Sequence, residues 1–293
     1  MTSIHSVVFF GTPDFAVPSL EALVKDPAFD VRLVVTQPDK RVGRKKILTE
    51  PPVKIVAEKH GIKVLQPVHI RELEKQKELR EVDFFVIVAY GQIFSQELLA
   101  IPKIAAVNLH ASLLPRWRGA SPIQHAILAG DKETGVTLQQ MVRELDAGPV
   151  LGQKITPVGS RATFLDLYDR LKLIGADLLT DVLRCPLRPV PQDPRLVTMC
   201  TKLSRSDGIV DLGHLSAEEI DTKVRAFNPW PGVICDIHGV SLKLIETSLE
   251  EFSDAYALKC VNGSTIHLVQ VQEPGKRVMS GAAWMRGKNL NRS

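Results

Sequence analysis

Along the first half of the chain, apolar residues gather in short unbroken runs, and the stretches between them repeat with helical spacing. Val7-Val-Phe-Phe10 reads as a buried strand ended by Gly11-Thr-Pro13, after which Pro18 suits the first turn of a helix running through Leu23. Val31 to Val35 is a second strand, Val53 to His60 a helix stopped by Gly61, and Ile62 to Leu65 a short strand. Ile70 to Leu79 has the spacing of a charged surface helix. Phe84 to Ala89 is the most apolar strand, and Ala105 to Leu109 is another. Strands apolar throughout, alternating with helices, predict an α/β architecture with a parallel sheet covered on both faces.

A helical stretch from Phe164 to Leu183 ends in Arg184-Cys-Pro-Leu-Arg-Pro-Val-Pro-Gln-Asp-Pro194, whose prolines suit neither helix nor central strand. A domain boundary is expected there. Beyond it, Ser216 to Arg225 reads as a helix with a serine N-cap and with Glu218-Glu219 in its first turn. Val233 to Ile237, Ser241 to Ile245, Ala257 to Val261 and Thr265 to Val271 follow as short strands, separated by turns such as His238-Gly239 and Asn262-Gly263. This pattern predicts a small β-barrel.

Composition narrows the class without choosing a function. At 44% hydrophobic and 24% charged residues, the 293-residue chain is an ordinary globular protein, which excludes disorder and fibrous architectures. No apolar run approaches the roughly 18 residues a membrane span requires. The Met1-Thr-Ser-Ile-His-Ser start lacks a basic leader, so a cytoplasmic address is expected, or an organelle if a transit peptide has been removed. Cys185, Cys200, Cys235 and Cys260 match neither a zinc ribbon nor a CxxC pair and are expected as buried free thiols. A net charge of +4 is too small to argue for a polyanion partner. Its distribution says more: Lys40, Arg41, Arg44, Lys45 and Lys46 crowd one segment, and residues 274–293 hold Lys276, Arg277, Arg286, Lys288 and Arg292 with no acid. The first segment, flanked by Pro38 and by Pro51-Pro52, is expected to be irregular; it is either a solvated charge cluster or a phosphate-binding loop.

The first βα turn has no GxGxxG, and the chain has no GxxxxGK[ST], HExxH or GxSxG, which removes the commonest nucleotide, zinc-protease and esterase signatures. Chemistry is expected at Asn108-Leu-His110-Ala-Ser-Leu-Leu-Pro115, since ligands of open α/β sheets bind beyond the carboxyl ends of the strands. Asn108 and His110, at i and i+2 of a strand, point to one side and can converge on one atom. Their N–H groups, aimed at a carbonyl oxygen, would stabilise the oxyanion of acyl transfer. The alternative is a polar strand end that caps the following turn. Asp146, in Arg143-Glu-Leu-Asp-Ala-Gly148, is either a base or orienter for the histidine, or simply a turn residue. No Ser or Cys stands in a nucleophile motif, which favours direct transfer without a covalent enzyme intermediate.

Asn108-Leu-His110-Ala-Ser-Leu-Leu-Pro115 resembles the signature of the formyl-folate transferases, Asn-x-His-x-Ser-Leu-Leu-Pro. Gly11-Thr-Pro-Asp-Phe-Ala16, Gln37-Pro-Asp-Lys-Arg-Val-Gly-Arg-Lys-Lys46, Leu145-Asp-Ala-Gly148 and Arg225-Ala-Phe-Asn-Pro-Trp-Pro-Gly232 narrow the resemblance to the branch that formylates methionyl-tRNA. The resemblance implies a Rossmann-like formyltransferase catalytic domain over residues 1–189, a proline-containing linker over 190–207 and a C-terminal OB-like β-barrel domain for tRNA over 208–293. It implies that Asn108, His110 and Asp146 are catalytic, that Ser112, Leu113, Leu114 and Pro115 belong to the tetrahydrofolate site with Tyr90 lining it, and that Arg41, Arg44, Lys45 and Lys46 approach the tRNA acceptor stem. The implied reaction moves the formyl group of 10-formyltetrahydrofolate to methionine on initiator tRNA; no metal and no membrane are implied, and a monomer is expected. Pro149, and Arg41 with Val42, depart from the usual residues of the family.

The same signature would serve a formyltransferase acting on a small amine, such as glycinamide ribonucleotide or an amino sugar nucleotide. The basic segment at 40–46, the Arg225 to Gly232 stretch and the basic tail discriminate against it. A tRNA-binding module with a vestigial site is disfavoured by the intact Asn108, His110 and Asp146. Trp230, between two prolines, is expected as a packing residue at a domain interface rather than a base-stacking surface.

Overall fold

In the first strand, β1 (His5–Gly11), Val7, Val8, Phe9 and Phe10 are all fully buried. Parallel neighbours on both sides explain this: β2 (Phe29–Val35) pairs along one edge and β6 (Phe84–Val88) along the other, so neither face meets water. The computed structural model describes residues 4–43 and 45–288. Their contacts divide the chain into two compact units, Met1–Pro122 with Glu133–Pro157 and Tyr168–Cys200, and Ile123–Lys132 with Val158–Leu167 and Thr201–Ser293.

In order along the chain, the first unit also contains α1 (Val17–Lys25), the short strands β3 (Lys40–Val42) and β4 (Ile47–Thr49), α2 (Pro52–Lys59), β5 (Val64–Leu65), α3 (Gln96–Leu99), β7 (Ala105–His110) and β8 (Arg118–Gly119). After α4 (Pro122–Leu128) come β9 (Glu133–Gln140), β10 (Val150–Pro157), α5 (Phe164–Leu183) and β11 (Met199–Cys200). The seven-stranded sheet runs β10-β9-β7-β6-β1-β2-β5. Its five strands from β7 to β5 are parallel, as the apolar runs predict, but β9 pairs antiparallel with both β7 and β10. A short turn through Asp146 joins β9 to β10, and so brief a link returns the chain antiparallel, because a parallel crossover needs a dozen or more residues.

Pro18 stands in the first turn of α1 and Pro52 opens α2, where a missing N–H costs nothing, and Gly61 ends α2 with φ +68°. The helix expected over Ile70 to Leu79 is instead two 3₁₀ turns, Ile70–Lys75 and Lys77–Leu79, separated at an extended Gln76. The reason is burial. Ile70, Leu73 and Leu79 all sit in the core, yet on one α-helix Leu79 would stand about 240° around the axis from Leu73, so the chain must break to bury both.

In the second unit, α6 (Ala217–Phe227) begins with a capping box in which Ser216 Oγ accepts from the Glu219 N–H (3.2 Å) and Glu219 Oε2 accepts from the Ser216 N–H (2.8 Å). The strands are β12 (Ile209–Val210), β13 (Val233–Ile237), β14 (Val240–Ser248), β15 (Tyr256–Lys259), β16 (Thr265–Gln272) and β17 (Met279–Ser280), followed by α7 (Gly281–Arg286). They form one sheet in the order β12-β13-β14-β16-β15, with β17 also on β16. Among the described residues these pairings trace an open path, so the expected barrel closure is not formed by them. His238 and Gly239 both take positive φ, 55° and 75°, which closes the β13–β14 hairpin as expected. Buried Asp221 accepts from Arg161 (2.6 Å), Arg225 (3.0 Å) and Thr247 (2.8 Å), and Asn228 donates to the Leu244 and Ile245 carbonyls. Arg225 and Asn228 therefore hold their own unit together. Trp230 is 50% exposed rather than packed away. Among the described residues, no helix is long and apolar enough to cross a membrane.

Cys200, Cys235 and Cys260 are buried as expected, but Cys185 is exposed, just past the end of α5. Burial pushes the three inner thiols up, Cys235 to about 11. Since the thiolate is the nucleophile, a raised pKa leaves less of it at pH 8. Alkylation of the folded protein at pH 8 should modify Cys185 alone, the other three reacting only after unfolding; peptide mass mapping before and after urea checks this.

Candidate active site

Strand β7 ends in Asn108-Leu109-His110, and its alternation turns Leu109 to one face and the two polar residues to the other. Across the antiparallel pairing, Gln139 of β9 stands opposite Asn108 and Thr137 opposite His110, so four polar side chains share that face. Thr137 Oγ1 donates to the Ser112 carbonyl (2.7 Å) and accepts from the Leu114 N–H (3.0 Å). Gln153 of β10 donates to Thr137 Oγ1 and to the Leu114 carbonyl, each at 2.9 Å. Ser112, fully buried, donates from Oγ to the Arg116 carbonyl (2.6 Å). The Ser112-Leu113-Leu114-Pro115 loop is thus fastened to β9 and β10. Leu113 packs where Gly135 has no side chain, a Cβ there falling 2.6 Å from Leu113 Cδ2.

Asp146 lies in the β9–β10 turn with φ +50°, a left-handed conformation that Asp tolerates better than most residues. Its carboxylate is enclosed by donors: Gln139 Nε2 at 2.9 Å and Asn108 Nδ2 at 3.5 Å on Oδ1, and the Gly119 N–H at 2.9 Å on Oδ2. His110 Nδ1 faces Oδ2 at 3.6 Å, too far for a hydrogen bond, with both side chains less than a tenth exposed. The other ring nitrogen, Nε2, is 2.8 Å from the Trp117 carbonyl. A carbonyl only accepts, so Nε2 carries the hydrogen, and in a neutral ring Nδ1 then holds the lone pair. The expectation that the Asn108 and His110 N–H groups aim at one atom therefore changes: the His110 donor is committed to Trp117, and the two side chains converge on Asp146 instead.

Sequence reading missed Gln139, Thr137, Gln153 and Gly119, and with them Gln192, which donates to the Asp146 and Gly148 carbonyls, and Arg118, which donates to the Gln192 amide oxygen. Thr137 and Gln139 carried a usable signal, two polar residues at i and i+2 that alternate with Val136 and Leu138. Gln192, in the proline-rich segment, carried none.

Tyr90 is 2% exposed, with its ring against Phe10 (5.7 Å) and Phe94 (6.1 Å). Its hydroxyl is buried without a hydrogen-bond partner, and burial, with Glu72 nearby, pushes its pKa up to about 12. The basic segment, expected to be irregular, is a β-hairpin in which β3 pairs with β4 from Lys40↔Thr49 to Val42↔Ile47. Gly43 and Lys46 take positive φ in its turn, as a tight reversal requires. Arg41, Lys45 and Lys46 are exposed, and so are Val42, Ile47 and Leu48; Arg44 lies outside the described residues. At the hairpin's foot, Asp39 accepts from Lys54 (3.0 Å) and Gln66 (2.6 Å). These bonds hold the Asp39 carboxyl below its ordinary range, Gln66 first and Lys54 second.

Residues 5–183 match the family model for formyl transferase, and residues 202–289 match that for the formyl transferase C-terminal domain. The chain belongs to the formyl transferase family. Within it, a protein of Magnetococcus marinus named methionyl-tRNA formyltransferase is 42% identical over 97% of this chain and 96% of its own. The fold is also that of HypX from Aquifex aeolicus, solved with tetrahydrofolic acid (TM-score 0.64, 17% identity, 97% of this chain and 47% of that one). An N-formyltransferase of Helicobacter canadensis, solved with folinic acid and dTDP-3-aminofucose, has the same fold (TM-score 0.64, 21% identity, 90% of this chain and 98% of that one).

The tightness of the Asp146 turn is testable. A Cβ at Gly148 would lie 1.7 Å from the Gln140 carbonyl oxygen, whereas one at Gly159 meets nothing within 4 Å. Gly148→Ala should cost about 1–3 kcal/mol, seen as a fall of several degrees in Tm, while Gly159→Ala should leave Tm unchanged or higher. Thermal unfolding of the two variants beside the parent decides it.

Proposed function

We propose that this chain transfers the formyl group of 10-formyltetrahydrofolate to the α-amino group of methionine on initiator tRNA, giving formylmethionyl-tRNA for translation initiation. The observation that carries this reading is the convergence of Asn108 and His110 on the Asp146 carboxylate at the end of β7, in a chain alike over 97% of its length to a methionyl-tRNA formyltransferase.

On this reading the amine attacks the formyl carbon and a C–N bond forms. His110 Nδ1 takes the proton the amine must lose, with the tautomer fixed by the Nε2–H bond to Trp117 and the resulting imidazolium stabilised by Asp146. Asn108, whose amide has two hydrogens and one long contact with Asp146, donates to the oxyanion; one such donor contributes roughly 3–4 kcal/mol. The bond to folate N10 then breaks and the leaving nitrogen takes the proton. Ser112, Leu113, Leu114 and Pro115 form part of the folate site, and the partnerless Tyr90 hydroxyl suits a polar group of that ligand. No metal takes part.

Residues 1–189 carry the chemistry and residues 208–293, in an OB-like arrangement, serve tRNA, with 190–207 between them. The enzyme acts as a monomer in the cytoplasm, or in an organelle. The basic hairpin favours tRNA over a small amine substrate: Arg41, Arg44, Lys45 and Lys46 contact phosphates of the acceptor stem.

Incubation with 10-formyltetrahydrofolate and charged initiator tRNA, followed by mass analysis of the released methionine, tests the reading. An added formyl group supports it; formylation only of glycinamide ribonucleotide or an amino sugar nucleotide would overturn it. His110→Ala or Asn108→Ala should slow single turnover by roughly 10²–10³, and Asp146→Asn by roughly 10²–10⁴, with tRNA affinity unchanged.

Removing cations from the hairpin should weaken tRNA binding and flatten its salt dependence by a log–log slope of roughly 0.7–0.9 for each phosphate left without its cation. Arg41→Ala, Arg44→Ala and Lys45→Ala, titrated with tRNA at two salt concentrations and with folate at one, should change the first and spare the second.

A further inference from the structure

We infer that Gln192 is a positioning residue for this reaction, holding the turn that presents Asp146; the inference rests on the formyl-transfer reading above. Its amide nitrogen donates both hydrogens to the turn, one to the Asp146 carbonyl (2.9 Å) and one to the Gly148 carbonyl (2.7 Å). Its amide oxygen accepts a paired grip from Arg118, Nε at 3.0 Å and Nη2 at 2.7 Å. Two donors and two acceptor positions are all that a glutamine amide has, and each is used.

Several observations give that clamp something to do. Asp146 stands in a left-handed backbone conformation, which a non-glycine residue keeps only where its surroundings impose it. Gly119, next to Arg118, gives its N–H to the Asp146 carboxylate, so Arg118 and Gly119 reach Asp146 from both ends: one through Gln192 to its backbone, the other directly to its side chain. The same stretch reaches the histidine's partner. Thr198 Oγ1 accepts from the Trp117 N–H (2.9 Å), and Cys200 Sγ donates to the Trp117 carbonyl that fixes His110. A Val190↔Val150 bridge and the parallel β8–β11 pairing tie its two ends to the same unit. Residues 190–200 thus strap across both the loop and the turn that carry the reacting groups, and Gln192 is the point where the strap meets Asp146.

A positioning role predicts a loss in the chemical step that depends on Asp146. Gln192→Ala should slow single-turnover formylation about tenfold to a hundredfold while the affinities for tRNA and folate stay within about twofold of the parent. Gln192→Glu, which can still accept from Arg118 but cannot donate to two carbonyls, should be at least as slow. In an Asp146→Asn background, Gln192→Ala should cost nothing further, because the residue acts through the group already removed. Amide hydrogen exchange across residues 141–150 should quicken in Gln192→Ala with global melting unchanged.

A single-turnover rate within about threefold of the parent, or a full multiplicative loss in the double variant, would overturn the positioning role. An inactive parent would instead count against the formyl-transfer reading, and in that case the exchange measurement still decides whether Gln192 holds the turn: unaltered exchange sinks it.

Discussion

A carboxylate withdrawn from water is tolerable only where other donors replace the solvent it has lost, and the Asp146 side chain, less than a tenth exposed, meets that condition through Gln139, Asn108 and the Gly119 N–H. Much of the first unit's irregular structure follows from supplying them. Gln139 reaches Asp146 because β9 returns antiparallel beside β7, and the Gly119 N–H reaches it because the loop after β7 doubles back through Trp117 and Gly119, both at positive φ. A Cβ on Gly119 would stand 2.1 Å from the Cys200 carbonyl oxygen, so the β8–β11 pairing admits only glycine at that point.

The parallel part of the sheet was legible in the sequence because burial on both faces leaves an unbroken apolar run, as in Val7 to Phe10 and Phe84 to Val88. The helix caps were legible for a similar reason, since Ser216 and Glu219 state their pairing in the spacing itself. The Ile70 to Leu79 segment misled because polarity and spacing report a surface helix, whereas three buried residues that share no single helix face decided the backbone. The basic hairpin misled in the opposite sense: charge and flanking prolines argued for irregular chain, and a Gly43 turn with cross-strand pairing supplied regular structure. Closure of the second unit's sheet into a barrel depends on pairings between distant strands, about which local alternation is silent.

Within the site, the residues of the proposed chemistry were visible and their supports largely were not. Asn108 and His110 announce themselves by sharing a strand face. The direction of the His110 ring is set by the Trp117 carbonyl, a backbone group present at every position and so without any sequence signature. Gln192 is the extreme case, because its meaning comes from two carbonyls more than forty residues earlier in the chain.

That separation bears on how the protein is made. Strands β2, β6 and β7 can each pair as they emerge, since each lies beside a strand already synthesised. The arrangement around Asp146 cannot be finished then, for it draws on residues 108–119, on β9 with its turn, and finally on Gln192 and Thr198. A nascent chain that has folded its central sheet therefore still lacks the last braces of the turn around Asp146, and that turn is complete only late in synthesis, when the strap closes over a framework already standing.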